Sequence, residues 1–316
     1  MTSISVIIPT HNRPESLART VESLLVQDRR PDQIVIVNDG HLPPPDSLDE
    51  SITSAGVAYE YCEFRSDSPS ASASRNRGME LATSQVLVMI DDDVIPPPDC
   101  LGRLAAMYDL DSGGVVAAIG ATPIPPEPAN RLGRGLWDFL ATILGEIRWA
   151  PRLCAARYVV LPPGLRRKLT PGKPLSGCLM SMRADVSAGY RFDDEFFGGY
   201  TLGEDRDLGF RIAVDRAVFL AEDLTVLHDP APGGRPDRMR MGRMLVSSTL
   251  HTAGGCGDSG AGTALLLGYE LAGTCLLHTL WGIARLRRSN LLYAAGIARE
   301  LLARLRKRIT AYISAG

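Results

Sequence analysis

The sequence predicts an α/β fold of Rossmann-like character, with a mainly parallel central sheet flanked by helices and a helical appendage at the C-terminal end. Three observations carry that expectation. Short β-branched runs alternate with helix-period segments over the first third of the chain. Polar and acidic residues gather directly after those runs, and from about Asp237 onward only helical patterns remain. Such alternation indicates βαβ units, which close right-handed and set ligand-binding groups at the carboxyl ends of parallel strands.

Taken in order, Val6-Ile7-Ile8 is a β-branched run closed by Pro9 and reads as a buried first strand. A helix follows: Asn12 is placed to cap it, Glu15 stands three residues on, and Leu17, Val21, Leu24 and Leu25 recur at helical spacing. Ile34 to Val37 reads as the second strand, ending at Asn38-Asp39-Gly40, and Val57 to Phe64 as the third. A Ser-rich loop and a short helix from about Ser74 to Ala82 lead to the fourth strand, Val86 to Ile90, and at once to Asp91-Asp92-Asp93. Between Thr122 and Pro174 the pattern breaks down into Pro, Gly and Arg, with one amphipathic helix expected around Leu136 to Ile147. Regular structure resumes at Leu175 to Met182, followed by a helix from Glu204 to Asp215 and short strands at Val218 to Leu220 and Leu224 to Leu227. The expected division is a domain over 1–235, in halves 1–120 and 121–235, and a helical region over 236–316.

With 316 residues, 45% apolar side chains and a formal net charge of −2, the chain can bury a substantial core. It carries no global basic field, which argues against nucleic acid as a partner. Cys62, Cys100, Cys154, Cys178, Cys256 and Cys275 show neither C-x-x-C pairs nor His spacing, so free thiols in a reducing compartment are expected. The N-terminus lacks the basic start and long apolar stretch of a secretory signal, so the expected location is the cytoplasm.

Three adjacent carboxylates after an apolar strand repel one another, a cost that Mg2+ or Mn2+ would remove while also holding a diphosphate. Taken alone, the triplet reads equally as a solvated acidic turn running into Pro96-Pro97-Pro98. Glu204-Asp205 opens a helix after the glycine-rich Phe197-Gly198-Gly199-Tyr200. A helix N-terminus favours carboxylate anions and keeps a base available near neutral pH, although an ordinary acidic first turn is the plainer reading of that pair by itself. Asp39 before Gly40 is also a good turn pair, Arg75 also a plain surface charge, and His228 before Asp229-Pro230 also a strand-end polar residue.

Four blocks in order change that balance: Ser5-Val6-Ile7-Ile8-Pro9-Thr10-His11-Asn12-Arg13, Val37-Asn38-Asp39-Gly40, Arg75-Asn76-Arg77-Gly78 and Ile90-Asp91-Asp92-Asp93. Together they resemble the family 2 glycosyltransferases. Ser176-Gly177-Cys178-Leu179-Met180-Ser181-Met182-Arg183, Gly203-Glu204-Asp205-Arg206-Asp207-Leu208 and His228 continue the resemblance, which covers about residues 3 to 230. It implies a GT-A fold, with a nucleotide-binding half followed by an acceptor-binding half. It also implies inverting transfer of a sugar from a nucleotide-diphosphate donor, uridine diphosphate being the preferred carrier, to a hydroxyl of a saccharide, lipid-linked or small-molecule acceptor. By the same resemblance Pro9, Thr10 and Arg13 border the nucleotide, Asp39 accepts from the base or ribose, and Arg75 faces the base or diphosphate. Asp91 and Asp92 lie by the donor, Asp93 with Asp91 and His228 holds Mg2+ or Mn2+, and Asp205, beside Glu204, is the base. Two positions depart from the pattern: His41 stands where a small hydroxyl residue is frequent, and Val94 where a fourth acidic residue is frequent.

A sugar-nucleotide pyrophosphorylase would need a Gly-rich turn where this chain has Pro9-Thr10-His11-Asn12-Arg13-Pro14, and a Rossmann dehydrogenase would need G-x-G-x-x-G there. A non-catalytic nucleotide-sugar-binding protein stays open at this point. In the tail, the largely apolar run from Ala264 to Trp281 is interrupted by Glu270 and His278 and followed by Arg285, Arg287 and Arg288. Leu301 to Ile309 mixes apolar residues with Arg304, Arg306, Lys307 and Arg308. Such helices fit peripheral contact with the inner face of an anionic membrane, or packing on protein, including a second copy of the chain.

Overall fold

The computed structural model describes residues 1–316 apart from 42, 44–46, 66–68, 125–136, 138, 142–143, 145–158, 172–174, 231–235, 258–259 and 316. The chain divides into two compact units, Met1–Pro126 with Ala150–Gly233, and Glu127–Trp149 with Gly234–Gly316. The body expected over 1–235 is thus interrupted by Glu127–Trp149, which clusters with the C-terminal residues.

In the first unit the described strands form one sheet. They are β1 (Ile4–Thr10), β2 (Gln33–Asn38), β3 (Ala58–Glu63), β4 (Val86–Ile90), β5 (Val94–Ile95), β6 (Val116–Ile124), β7 (Thr170–Pro171), β8 (Leu179–Arg183) and β9 (Ala217–His228). Their order is β3-β2-β1-β4-β8-β6-β9-β5, with β7 on β9. Pairing is parallel from β3 through β4 and again between β6 and β9, whereas β8 runs antiparallel between β4 and β6. β1, β2 and β4 are buried along their whole length, as strands covered on both faces must be, and their apolar runs follow from that. Their parallel registry sets Thr10, Asn38 and Ile90 at one edge of the sheet, so the loops that follow share one rim.

The helices of this unit are α1 (Pro14–Leu25), α2 (Ser47–Ser54), α3 (Ala71–Leu81), α4 (Cys100–Leu110), α5 (Ala184–Gly189) and α6 (Glu204–Ala213). Asn12 does not cap α1. Pro14 opens the helix, Arg13 takes the cap position without a side-chain bond, and Asn12 sits at φ 56, where its Oδ1 accepts from the His41 N–H at 2.6 Å. Asparagine is among the few residues that tolerate this left-handed region, and proline is at home in a first helical turn. α3 begins at Ala71, earlier than expected, because Ser70 caps it by accepting from the Ala73 N–H. The strands expected at Val218 to Leu220 and Leu224 to Leu227 are one strand, β9, which bulges against β6 between Ala221 and Thr225. The helix expected around Leu136 to Ile147 falls largely outside the described residues.

The second unit contains α7 (Arg238–Gly255), α8 (Ala261–Ala284) and α9 (Arg288–Ala315). The Asp237 carboxylate caps α7 by accepting from the Arg240 N–H at 2.9 Å. Val246, Leu271 and Ile297 form the small core between the three helices. At the α7–α9 crossing a Cβ on Gly242 would collide with the Tyr293 carbonyl, and one on Gly296 with the Met239 carbonyl, so both positions demand glycine for close approach. Cys62, Cys100, Cys178, Cys256 and Cys275 are free thiols, and Cys154 lies outside the described residues.

Candidate active site

Asp91, Asp92 and Asp93 leave β4 toward three sets of partners. Asp92, 4% exposed, turns inward: Thr10 Oγ1 donates to its Oδ2 at 2.7 Å and Arg13 Nη1 to its Oδ1 at 3.2 Å. Thr20 Oγ1 lies 2.9 Å from the Asp92 carbonyl and 3.1 Å from that of Val94, which ties the acidic loop to α1. Burial pushes the Asp92 carboxyl up to about 6, with Thr10 and Arg13 pulling the other way. Both oxygens of the Asp92 carboxylate are thus engaged, one by Thr10 and the other by Arg13.

Asp93 faces a different strand. Its Oδ1 stands 3.4 Å from His228 Nε2 and its Oδ2 3.6 Å from Arg13 Nη1. The sheet enforces this meeting: β5 runs antiparallel to β9 with Val94 opposite His228, and the Asp229 N–H donates to the Asp93 carbonyl at 2.9 Å. Val94 is fully buried, so an apolar residue suits the position where an acid is frequent. Hydrogen bonding to Asp93 and Cys178 pushes the His228 imidazole up to about 10.

Arg75, on α3, has a side chain only 2% exposed. Its Nη2 donates to Asp91 Oδ1 at 2.6 Å and its Nη1 to Glu204 Oε1 at 3.1 Å, across 129 residues of sequence. The guanidinium lies 5.4 Å from the Phe192 ring centroid, and a Cβ on Gly177 would stand 2.8 Å from Nη2. The Asp205 carboxylate accepts from the Gly177 N–H at 2.6 Å and from the Arg206 N–H at 2.7 Å. Burial and the adjacent Asp205 push Glu204 up to about 7.

Asp39, 4% exposed, accepts from the Ser70 N–H at 3.0 Å and so ties the end of β2 to the start of α3. A small, open recess lies nearby, lined by Thr10, Asn12, Arg13, Asn38, Pro43 and Tyr61 among others. Asn38 Nδ2 donates to the Tyr61 hydroxyl at 2.7 Å. Pro9 is a buried β1 residue opposite Val37, and neither it nor Asp39 lines this recess.

The structure thus joins Thr10, Arg13, Asp92, Asp93 and His228 in one chain of contacts and Asp91, Arg75, Glu204 and Asp205 in another, linked through consecutive aspartates. Thr20, Tyr61, Phe192 and Gly177 were not singled out for roles by sequence. Gly177 carried a signal as part of a family-like block, whereas Phe192 carried none. In charge, five carboxyl groups stand against two guanidinium groups and one imidazole, which leaves a demand for positive charge. Among the described residues no three His, Cys, Asp or Glu side chains converge as a complete metal cage. Asp93 and His228 fit two neighbouring positions on a hard cation, since adjacent ligands about 2.1 Å from such an ion lie about 3 Å apart. Magnesium sites of this kind take one or two carboxylates plus substrate phosphate oxygens.

Residues 5–157 match the model of glycosyl transferase family 2, and that segment is a domain of the family. The glucosyl-dolichyl phosphate glucuronosyltransferase of Haloferax volcanii is 34% identical over 130 residues, 40% of this chain and 40% of its own length. The uncharacterized glycosyltransferase YibD of Escherichia coli is 35% identical over 118 residues, 34% of this chain and 32% of its own. The chain therefore aligns with well under half the length of these relatives. The mannosyltransferase PcManGT of Pyrobaculum calidifontis, solved in complex with GDP-Man and Mn2+, superposes with a TM-score of 0.53 over 95% of this chain and 87% of that one, at 16% identity. That likeness shows the fold, which is GT-A: a central sheet flanked by helices, with further helices at the C-terminal end.

Proposed function

We propose that this chain is an inverting glycosyltransferase that moves a sugar from a nucleotide-diphosphate donor to an acceptor hydroxyl. One observation carries the reading: the buried guanidinium of Arg75 bonds both Asp91, at the end of β4, and Glu204, beside the candidate base Asp205. The donor end and the acceptor end of the reaction then share one cleft. The GDP-Man and Mn2+ held by the fold neighbour support the donor class, and the name of the archaeal relative supports a lipid-linked acceptor among the candidates.

Thr10 and Arg13, braced by Asp92, border the nucleotide, whose base enters the recess flanked by Asn38 and Tyr61. Asp93 and His228 are the residues that would hold Mg2+ or Mn2+, which when bound offsets charge on the donor diphosphate. Arg75 adds a fixed positive charge where the departing diphosphate gains negative charge. Asp205, its orientation set by two backbone N–H groups, takes the proton from the acceptor hydroxyl as that oxygen attacks the anomeric carbon. A single displacement inverts the anomeric configuration and needs no covalent intermediate. A screen of UDP- and GDP-sugars for metal-dependent hydrolysis tests this. Asp93→Ala should lose metal and donor binding together, and Asp205→Asn should bind donor but fail in transfer. Full transfer by Asp205→Asn would remove the assigned base.

A further inference from the structure

In the second unit, α8 buries one side and exposes a continuous apolar stripe on the other. Leu265, Leu276, Leu280 and Ile283 are 76%, 47%, 45% and 61% exposed. At about 100° per residue these positions fall within an arc of about 60° and run along about 27 Å of helix. The opposite side holds Leu267, Glu270, Leu271, Thr274 and Leu277, all buried. α9 repeats the pattern: Leu291, Leu302, Leu305 and Ile309 are 38% to 55% exposed and share one face. Arg288, Arg299 and Arg306 border that face on one side and Arg308 on the other, all exposed. α8 is apolar and long enough to cross a bilayer by composition, yet 39% of its apolar window is buried within the protein, including Glu270. One stripe, not the whole circumference, is available to lipid.

The turn between the helices adds an independent observation. The Arg287 N–H bonds the Gly282 carbonyl at 2.9 Å and the Leu286 N–H that of Ile283 at 3.2 Å, a Schellman end for α8. The left-handed position of that motif, φ 51, is where glycine is usual, and here it holds Leu286, 93% exposed. Arg285, Arg287 and Arg288 surround it, all exposed. An apolar side chain held outward among cations matches the acyl–headgroup boundary of an anionic bilayer, where stem and charge are satisfied at different depths.

We propose that the second unit docks on an anionic lipid surface, inserting Leu286 and the outward stripes of α8 and α9 while the bordering arginines meet the headgroup phosphates. The occupant is chosen by charge: a second copy of this face would bring the same arginines against one another, whereas anionic headgroups complement them.

Co-sedimentation of the intact chain with vesicles of phosphatidylcholine alone, and of phosphatidylcholine mixed with phosphatidylglycerol, tests the proposal. Binding is expected to the mixed vesicles only and to weaken as salt rises. Leu286→Gly should lower it on the order of tenfold without lowering the melting temperature, because glycine suits the left-handed site. Arg287→Gln with Arg306→Gln should lower it on the order of 25-fold, at about fivefold per arginine. Equal binding to both vesicle types, or binding unchanged in these variants, overturns the proposal. So does failure to bind lipid in a chain that forms a dimer broken by Leu305→Glu, which assigns the stripe to a second copy. None of these readouts uses the sugar donor, so they stand apart from the transfer reaction.

Discussion

Arg75 is the side chain whose replacement should separate folding from catalysis most cleanly. Arg75→Met leaves Asp91 and Glu204 without their shared cation in a largely buried place, and removing one partner of such a group costs about 3–5 kcal/mol, so a lower melting temperature is expected. Arg75→Lys keeps the charge but cannot fork to two carboxylates, so the fold should persist while kcat falls on the order of a hundredfold. The acidic pair has its own test. Glu204, pushed up to about 7 by burial and Asp205 in the ligand-free protein, should place an acid limb near that value on the kcat/KM–pH profile. If Glu204 only partners Arg75, Glu204→Gln removes the limb and retains turnover, whereas Asp205→Asn abolishes turnover. The reverse result moves the base to Glu204.

At the scale of elements, the Arg75-Asn76-Arg77-Gly78 block has a packing reason as well as a chemical one. A Cβ on Gly78 would collide with the Ile7 side chain, so α3 lies directly on β1 and holds Arg75 over the cleft. Gly78→Ala should cost about 1–3 kcal/mol, read as a lower denaturation midpoint. β1, β2 and β4 were legible because burial on both faces writes an unbroken apolar run into the sequence. α2 was not, since only Leu48 and Ile52 of its eight residues are buried and two positions make no period. Nor was the antiparallel return of β8 between β4 and β6, because strand direction there is decided by pairing with residues far off in sequence. The site divides in the same way. The acidic triplet and Glu204-Asp205 were visible as local clusters, while the bridge between them through Arg75 exists only once α3 and α6 are folded onto the sheet. The inward placement of Asp92 comes from the turn between β4 and β5, where the Val94 N–H bonds the Asp91 carbonyl at 3.3 Å, and its partners Thr10 and Arg13 come from the end of β1 and the residues that follow it.

The molecule as a whole carries a pH and cation dependence that follows from the charge deficit of this cleft. Glu204 rises from 4.5 to about 7 and Asp92 from 3.8 to about 6. Between the two values of each group the folded protein holds a proton that the unfolded chain has released, so stability falls as pH rises through that window. His228, raised from 6.5 to about 10, acts in the same sense: its contribution is complete below 6.5 and disappears as pH climbs through 10. The ligand-free protein should therefore melt at a higher temperature at about pH 6 than at about pH 8.5, provided that the remaining carboxylates stay ionised. A divalent cation replaces those protons, because Asp93 and neutral His228 bind it only when deprotonated. Added Mn2+ should raise the melting temperature more at the alkaline pH than at the acid one, and nucleoside diphosphate should add a further rise only when Mn2+ is present. Asp93→Ala should flatten the Mn2+ response at both pH values. A diphosphate-induced rise of equal size without Mn2+ would instead place the diphosphate on Arg13 and Arg75 alone.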